Sequence, residues 1–146
     1  MFRLKRTLSW SFTALLLSAG GAVAADLSVT DARLRLLPGD LPGAGYFTLH
    51  NGGDSAITLT GADSEAFDNV MMHVSVKEDG MAQMHEVDEV DIAPGKAFTF
   101  APKGHHLMFM QRTKALAVGD SVDVTLAFKA HDPLPATFDV VSPVAQ

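Results

Sequence analysis

The chain has 146 residues, 47% of them hydrophobic and 19% charged, which suffices for one modest core and a single domain. It contains no cysteine, which excludes disulfides, thiolate metal sites, iron–sulfur clusters, cysteine nucleophiles and a blue-copper centre built on a thiolate. A formal charge of −6 offers no basic footprint for nucleic acid.

The N-terminus differs in kind from the rest. Arg3, Lys5 and Arg6 form a basic start, an apolar stretch follows through Leu17, and Ala22-Val23-Ala24 closes it with small residues at alternate positions. This is the layout of a secretory signal peptide over residues 1–24, cleaved after Ala24 or Ala25, with residues 25–146 as one domain. Residues 10–25 are broken by Ser11, Ser18, Gly20 and Gly21 and fall short of the roughly 20 apolar residues a membrane span needs, so no stable membrane insertion is expected after cleavage. Residues 1–24 hold three of the 11 basic groups and none of the 17 acidic ones, so the mature chain carries 8 against 17, a formal −9. All six His and six of the seven Met stay with it.

Beyond Asp26 nothing reads as a long helix. Short alternating runs predict strands over 27–37, 45–50, 56–59, 70–77, 83–87, 97–100, 106–111, 121–129 and 136–141. The clearest alternation sets Val122, Val124, Leu126 and Phe128 against Asp123, Thr125 and Lys129. Pro38-Gly39, Asn51-Gly52-Gly53, Asp79-Gly80, Pro94-Gly95, Lys103-Gly104 and Gly119-Asp120 supply turns between them. Short strands at this spacing predict an all-β Greek-key sandwich of two packed sheets.

Hydrolase and nucleotide chemistries find no support, since neither a Gly-x-Ser-x-Gly elbow nor a Gly-rich phosphate loop occurs. The acidic run over 86–91 reads as a solvated strand edge and turn. Methionine and histidine are the unusual feature: Met71, Met72, His73, Met81, Met84, His85, His105, His106, Met108 and Met110 crowd into 71–110, while His50 and His131 stand apart. Side chains two apart on a strand share a face. His106, Met108 and Met110 therefore point one way, with Leu107 and Phe109 free to enter the core. Upstream, Val70, Met72, Val74 and Val76 form an apolar face that makes Met72 packing and leaves Met71 and His73 outward; Met84 shares a mixed face with Ala82 and Glu86. Three strands thus offer outward soft or borderline donors. Imidazole with thioether selects copper(I) over magnesium, calcium or manganese, and zinc prefers carboxylate or thiolate beside imidazole. Neutral, weak donors suit a carrier better than a permanent structural site.

These residues resemble the periplasmic copper(I) chaperones of the PCuAC family, whose motif is His, ten residues, Met, twenty-one residues, His-x-Met. His73, Met84 and His106-Leu107-Met108 match it without a gap. The likeness extends to Val29-Thr30-Asp31-Ala32 with Arg35, to residues 44–49 with Asn51-Gly52-Gly53, to residues 102–108 and to residues 116–120. The resemblance implies a cupredoxin-like Greek-key β-sandwich, one copper(I) ion on His73, Met84, His106 and Met108, and a place in the periplasm. It also implies delivery to an acceptor protein, a cytochrome c oxidase subunit or a Sco-type protein, for assembly of that oxidase's copper centres. Val74 stands where the family often has an acidic residue, and Arg33-Leu34 where an aromatic is common. His85 and His105 replace an Arg and an aromatic and read as solvated bystanders.

The expectation is therefore a metallochaperone that does no bond-making chemistry, docking through an apolar patch to which Met71, Met81 or Met110 contributes. The alternative is a periplasmic scavenger or buffer without a dedicated acceptor, which needs the same site. A copper redox enzyme is the third reading, disfavoured because two thioethers disfavour copper(II).

Overall fold

The computed structural model describes residues 26–144, so the signal-peptide reading of residues 1–24 and its cleavage lie outside the described residues. Ten strands follow in order: β1 (Leu27–Arg35), β2 (Gly43–Asn51), β3 (Ile57–Asp63), β4 (Phe67–Glu78), β5 (Met81–Glu86), β6 (Val90–Ile92), β7 (Ala97–Phe100), β8 (His105–Arg112), β9 (Ser121–Phe128) and β10 (His131–Val141). No helix occurs among the described residues, and none is long and apolar enough to cross a membrane.

Hydrogen bonds link the strands in the order β5-β4-β8-β2-β1-β10-β9-β3-β6, with β7 added to β2. The β1–β10 pair is parallel, and the others are antiparallel. The path folds over itself. Phe138 of β10 meets the rings of Phe47 in β2 and Phe109 in β8 at centroid distances of 5.5 and 6.0 Å, and Phe47 stacks on Phe100 at 4.4 Å. This aromatic layer, with Leu34, Leu49, Leu59, Leu107 and Leu126, forms the core between the two halves. The period-2 pattern read for β9 holds: Val122, Val124, Leu126 and Phe128 are buried, and Ser121, Asp123 and Thr125 are exposed.

Two details anchor the strand that matters most below. A Cβ on Gly45 would lie 2.5 Å from Phe109 Cε2, so β2 accepts the Phe109 ring of β8 only because this position lacks a side chain. The β4–β5 turn places Asp79 (φ 51°) and Gly80 (φ 78°) both in the left-handed region, the geometry of a two-residue hairpin turn that fixes register.

Two expectations are corrected. The acidic side chains of the 86–91 run are exposed, as read, but Val90 and Ile92 are buried in a short strand that the reading omitted; two apolar residues are too few for a period to register. β10 begins at His131 rather than at 136 despite Pro133 and Pro135. β1 pairs with it only from Asp139 to Val141, so this earlier stretch keeps one open flank where the missing N–H costs nothing.

Asn51, almost fully buried, ties the β2–β3 turn to β6. Its Nδ2 donates to the carbonyls of Ser55 (2.8 Å), Ile92 (3.0 Å) and Ala93 (3.3 Å), and its Oδ1 accepts from the Gly53 amide (3.2 Å). Asn51→Ala leaves these groups without their partner and should cost about 1–3 kcal/mol, read as a lowered urea midpoint at unchanged slope. An unchanged midpoint would mean that the turn holds itself.

Candidate metal centre

The register across three strands decides which donors meet. On β4 and β8, His73 lies opposite His106 and Met71 opposite Met108. On β4 and β5, His73 lies opposite Glu86 and Ser75 opposite Met84. Directly opposed residues share a face. Met71, His73, Met84, Glu86, His106 and Met108 therefore stand on one face, with His73 at the middle of the group. Met108 and Met84 are diagonal neighbours of His73 on its two flanking strands, a Cα separation of about 7–8 Å that long side chains span. The other face of these strands carries Met72, Leu107 and Phe109 into the core, as expected for Met72.

The two imidazoles sit edge to face with centroids 6.0 Å apart. His106 is only 5% exposed, more buried than an outward strand position implies. Its Nδ1–H donates to the Gly104 carbonyl at 3.2 Å, which fixes the tautomer and leaves the Nε2 lone pair for a metal. His73 is different: both ring nitrogens are buried, and neither has a hydrogen-bond partner among the described residues. Burial lowers the His73 pKa below its ordinary value, positive charge on His106 lowers it further, and Glu86 opposes both. The shift favours the neutral ring, the form that binds a metal.

Among the described residues no three His, Cys, Asp or Glu side chains gather into a metal cluster. Beside its two imidazoles and the Glu86 carboxylate, this face offers thioether sulfur from Met84, 50% exposed, and from the half-buried Met71 and Met108. The imidazoles and thioethers are soft or borderline and uncharged, and they fit a soft monovalent ion.

Other sequence expectations are corrected here. His105 is not solvated: it is half-buried with its ring edge-on to Phe98 at 5.0 Å and Phe100 at 6.0 Å, and burial lowers its pKa, with His106 adding to the effect. His85 is exposed, 3.5 Å from Glu78. Both stand opposite Val74, on the face away from His73. Met81 pairs with Glu78 and also lies on that other face, so it does not extend the donor face as a docking patch would require. Glu86, which alternation places beside Met84, was missed as a neighbour of His73 because it belonged to an acidic run.

A family model described as "Putative lipoprotein LpqE-like" matches residues 27–140. The chain belongs to the LpqE-like family. A relative named "Putative lipoprotein Lxx21020", from Leifsonia xyli subsp. xyli, is 29% identical to this LpqE-like chain over 98 residues, covering 66% of it and 59% of the relative. The chain therefore matches less than two thirds of that protein's length. Among solved structures, the copper-bound PCuAC domain from PmoF2 superposes with a TM-score of 0.68 at 24% identity, covering 82% of this chain and 97% of that domain. The solution structure of CuI-DR1885 from Deinococcus radiodurans gives a TM-score of 0.66 at 30% identity, covering 86% and 85%. The LpqE-like chain thus has the fold expected of it, an all-β cupredoxin-like Greek-key β-sandwich, and PCuAC domains are its structural neighbours.

Proposed function

We propose that this protein is an exported metallochaperone that carries one copper(I) ion on His73, Met84, His106 and Met108 and passes it to an acceptor protein. One observation carries the reading: His73 buries two ring nitrogens that find no partner among the described residues, directly opposite His106, on a face whose remaining soft donors are thioethers. A buried polar atom without a partner costs stability unless a ligand satisfies it. Copper in two of the solved relatives supports the choice of ion. The word lipoprotein in the family's description supports export, and the periplasm is the compartment proposed.

Copper is cargo here, and the protein makes and breaks no covalent bond in it. Two neutral imidazoles and two thioethers hold copper(I) with no net ligand charge, so an incoming thiolate or imidazole on the acceptor displaces them stepwise. Met84, on an exposed strand, is the donor an acceptor reaches first. The acceptor proposed is a cytochrome c oxidase subunit or a Sco-type protein, with the ion destined for an oxidase copper centre.

Titration with copper(I) under reductant against a competing chelator should give one ion per chain, and X-ray absorption of the loaded protein should count two nitrogen and two sulfur donors. Met108→Ala should lose one sulfur and weaken binding about tenfold or more. A stoichiometry far from one, or affinity unchanged in Met108→Ala, would sink the assignment. Copper transfer to an apo-oxidase domain separates delivery from simple buffering.

A further inference from the structure

β5 ends the hydrogen-bonded path, and among the described residues it pairs only with β4. All six of its residues are exposed, including Met81 at 67% and Met84 at 50%. Its backbone alternation is also defined. The Val87 amide donates to the Met72 carbonyl, and the Ser75 amide donates to Gly104 on the opposite flank of β4. Antiparallel pairs alternate between bonded and non-bonded, so Met81, Gln83 and His85 bond β4 while the amides and carbonyls of Ala82, Met84 and Glu86 point outward along the open edge.

Open edges are normally blunted by shortness, proline, lysine or a bulge. Other edges of this fold are: β6 has three residues with Asp91 exposed at its centre, β7 has four, and the open flank of β10 carries Pro133 and Pro135. β5 is longer, and its one carboxylate, Glu86, sits at its end rather than its centre. It holds neither Pro nor Lys, and its register with β4 runs without a shift. An unprotected edge that also carries a proposed copper ligand is an unusual thing to leave exposed.

We infer that β5 is a docking edge that adds one extended strand of a partner protein, a strand with an apolar centre and basic residues at its ends. Charge selects this occupant. Glu78 and Asp79 stand at the hairpin end of the edge, and Glu86, Asp88 and Glu89 at the other, Glu89 lying 3.9 Å from Lys129; Lys77, one strand in and opposite Ala82, and Lys103, which lines a hollow with both, are cations near the hairpin end, so the carboxylates still outnumber them along the edge. A second copy of the chain, paired antiparallel as a two-fold dimer requires, would bring the acidic turn of each copy against the acidic end of the other, and like charges directly opposed are destabilising. A partner strand with terminal Lys or Arg meets attraction at both ends and packs its centre on Ala82 and Met84. The added strand would run beside the backbone of Met84, so docking and access to the copper face coincide. The inference builds on the copper reading for what the partner receives, while the strand addition itself needs no metal.

The probe is a short synthetic peptide with a Val/Thr-rich centre and paired lysines at each end, set against the same peptide with glutamates for lysines. The lysine peptide should bind, slow amide exchange at Ala82, Met84 and Glu86 with no slowing at Gln83 or His85, and weaken about tenfold from ~50 to ~500 mM salt. Ala82→Pro removes an outward N–H without breaking a β4–β5 bond and should abolish peptide binding; Ala82→Lys, which cannot disturb the backbone, should do the same. Failure of the lysine peptide to bind, equal binding of the glutamate peptide, binding that survives both variants, dimerisation through β5, or protection of these amides before any peptide is added would each overturn the inference. Copper titration of the same samples keeps the two readings apart: copper bound without peptide ends the docking edge alone, and peptide bound without copper ends the copper site alone.

Discussion

His73→Leu should abolish copper(I) binding and at the same time stabilise the metal-free protein. The two effects have one cause. His73 keeps both ring nitrogens buried and without a partner among the described residues, so the apo fold carries the desolvation cost of an imidazole, a penalty of about 1–3 kcal/mol for an unsatisfied buried group. Leucine fills a similar volume without polar atoms, and the apo unfolding free energy should rise by about 1 kcal/mol, scaled down because His73 is only half-buried. Copper(I) affinity should fall by at least about a hundredfold, since the lost imidazole lies opposite the other one at the middle of the donor face. The wild-type protein gains about 2.7 kcal/mol when free copper reaches a hundred times Kd, and the variant at the same concentration should gain almost nothing. Chemical denaturation with and without copper(I) reads both quantities. If the variant is less stable without metal and binds copper as before, the orphaned nitrogens are not a metal site and His73 is packing.

Acid should release copper, and the His73 ring should take its proton only below the ordinary histidine range. Protons compete with the metal for the imidazole lone pair, so affinity falls where the ring would otherwise protonate. Desolvation by burial, and then charge on His106, hold the His73 pKa below 6.5, against the pull of Glu86. The loss of affinity that His73 protonation causes should therefore set in only below about pH 6.5. Glu86→Gln removes the one influence that raises the pKa and should move the acid limb to still lower pH. Apo stability follows the same sign. An unfolded His73 takes its proton near 6.5 while the folded one takes it lower, so between the two values the unfolded state binds more protons and stability drops as pH falls. His105, lowered by burial and by His106, contributes in the same direction. Above about 6.5 neither residue makes stability depend on pH. Chelator competition and denaturant midpoints over this range test the sign, and an NMR titration of the metal-free protein in which the His73 ring protonates above about 6.5 would refute the buried neutral ring.

Much of this was legible residue by residue. The β9 alternation gave its buried face directly, and the β4 pattern placed Met72 in the core and His73 opposite it, because a strand's period is set by the backbone and needs no tertiary information. Short elements escaped. Val90 and Ile92 make a strand only because β3 is there to pair with them, and nothing within three residues reveals a partner. Exposure was misread at His106 and His105 for a related reason: alternation tells which face a side chain takes, while the cover over that face comes from other segments. The half-buried His105 lies against Phe98 and Phe100, supplied by β7.

From the amino-acid order alone came the all-β class, the absence of thiolate chemistry, and the restriction of soft donors to three strands, since each depends on composition or on local period. Tertiary structure decided the rest. Only the register of β4 against β8 sets His73 opposite His106, and only the β4–β5 hairpin register brings Met84 and Glu86 onto that same face. A shift of one residue in either pairing would turn a whole set of side chains to the opposite side. Which edge stays open is likewise a property of the assembled sheet, because an unpaired strand exists only relative to the strands that found partners.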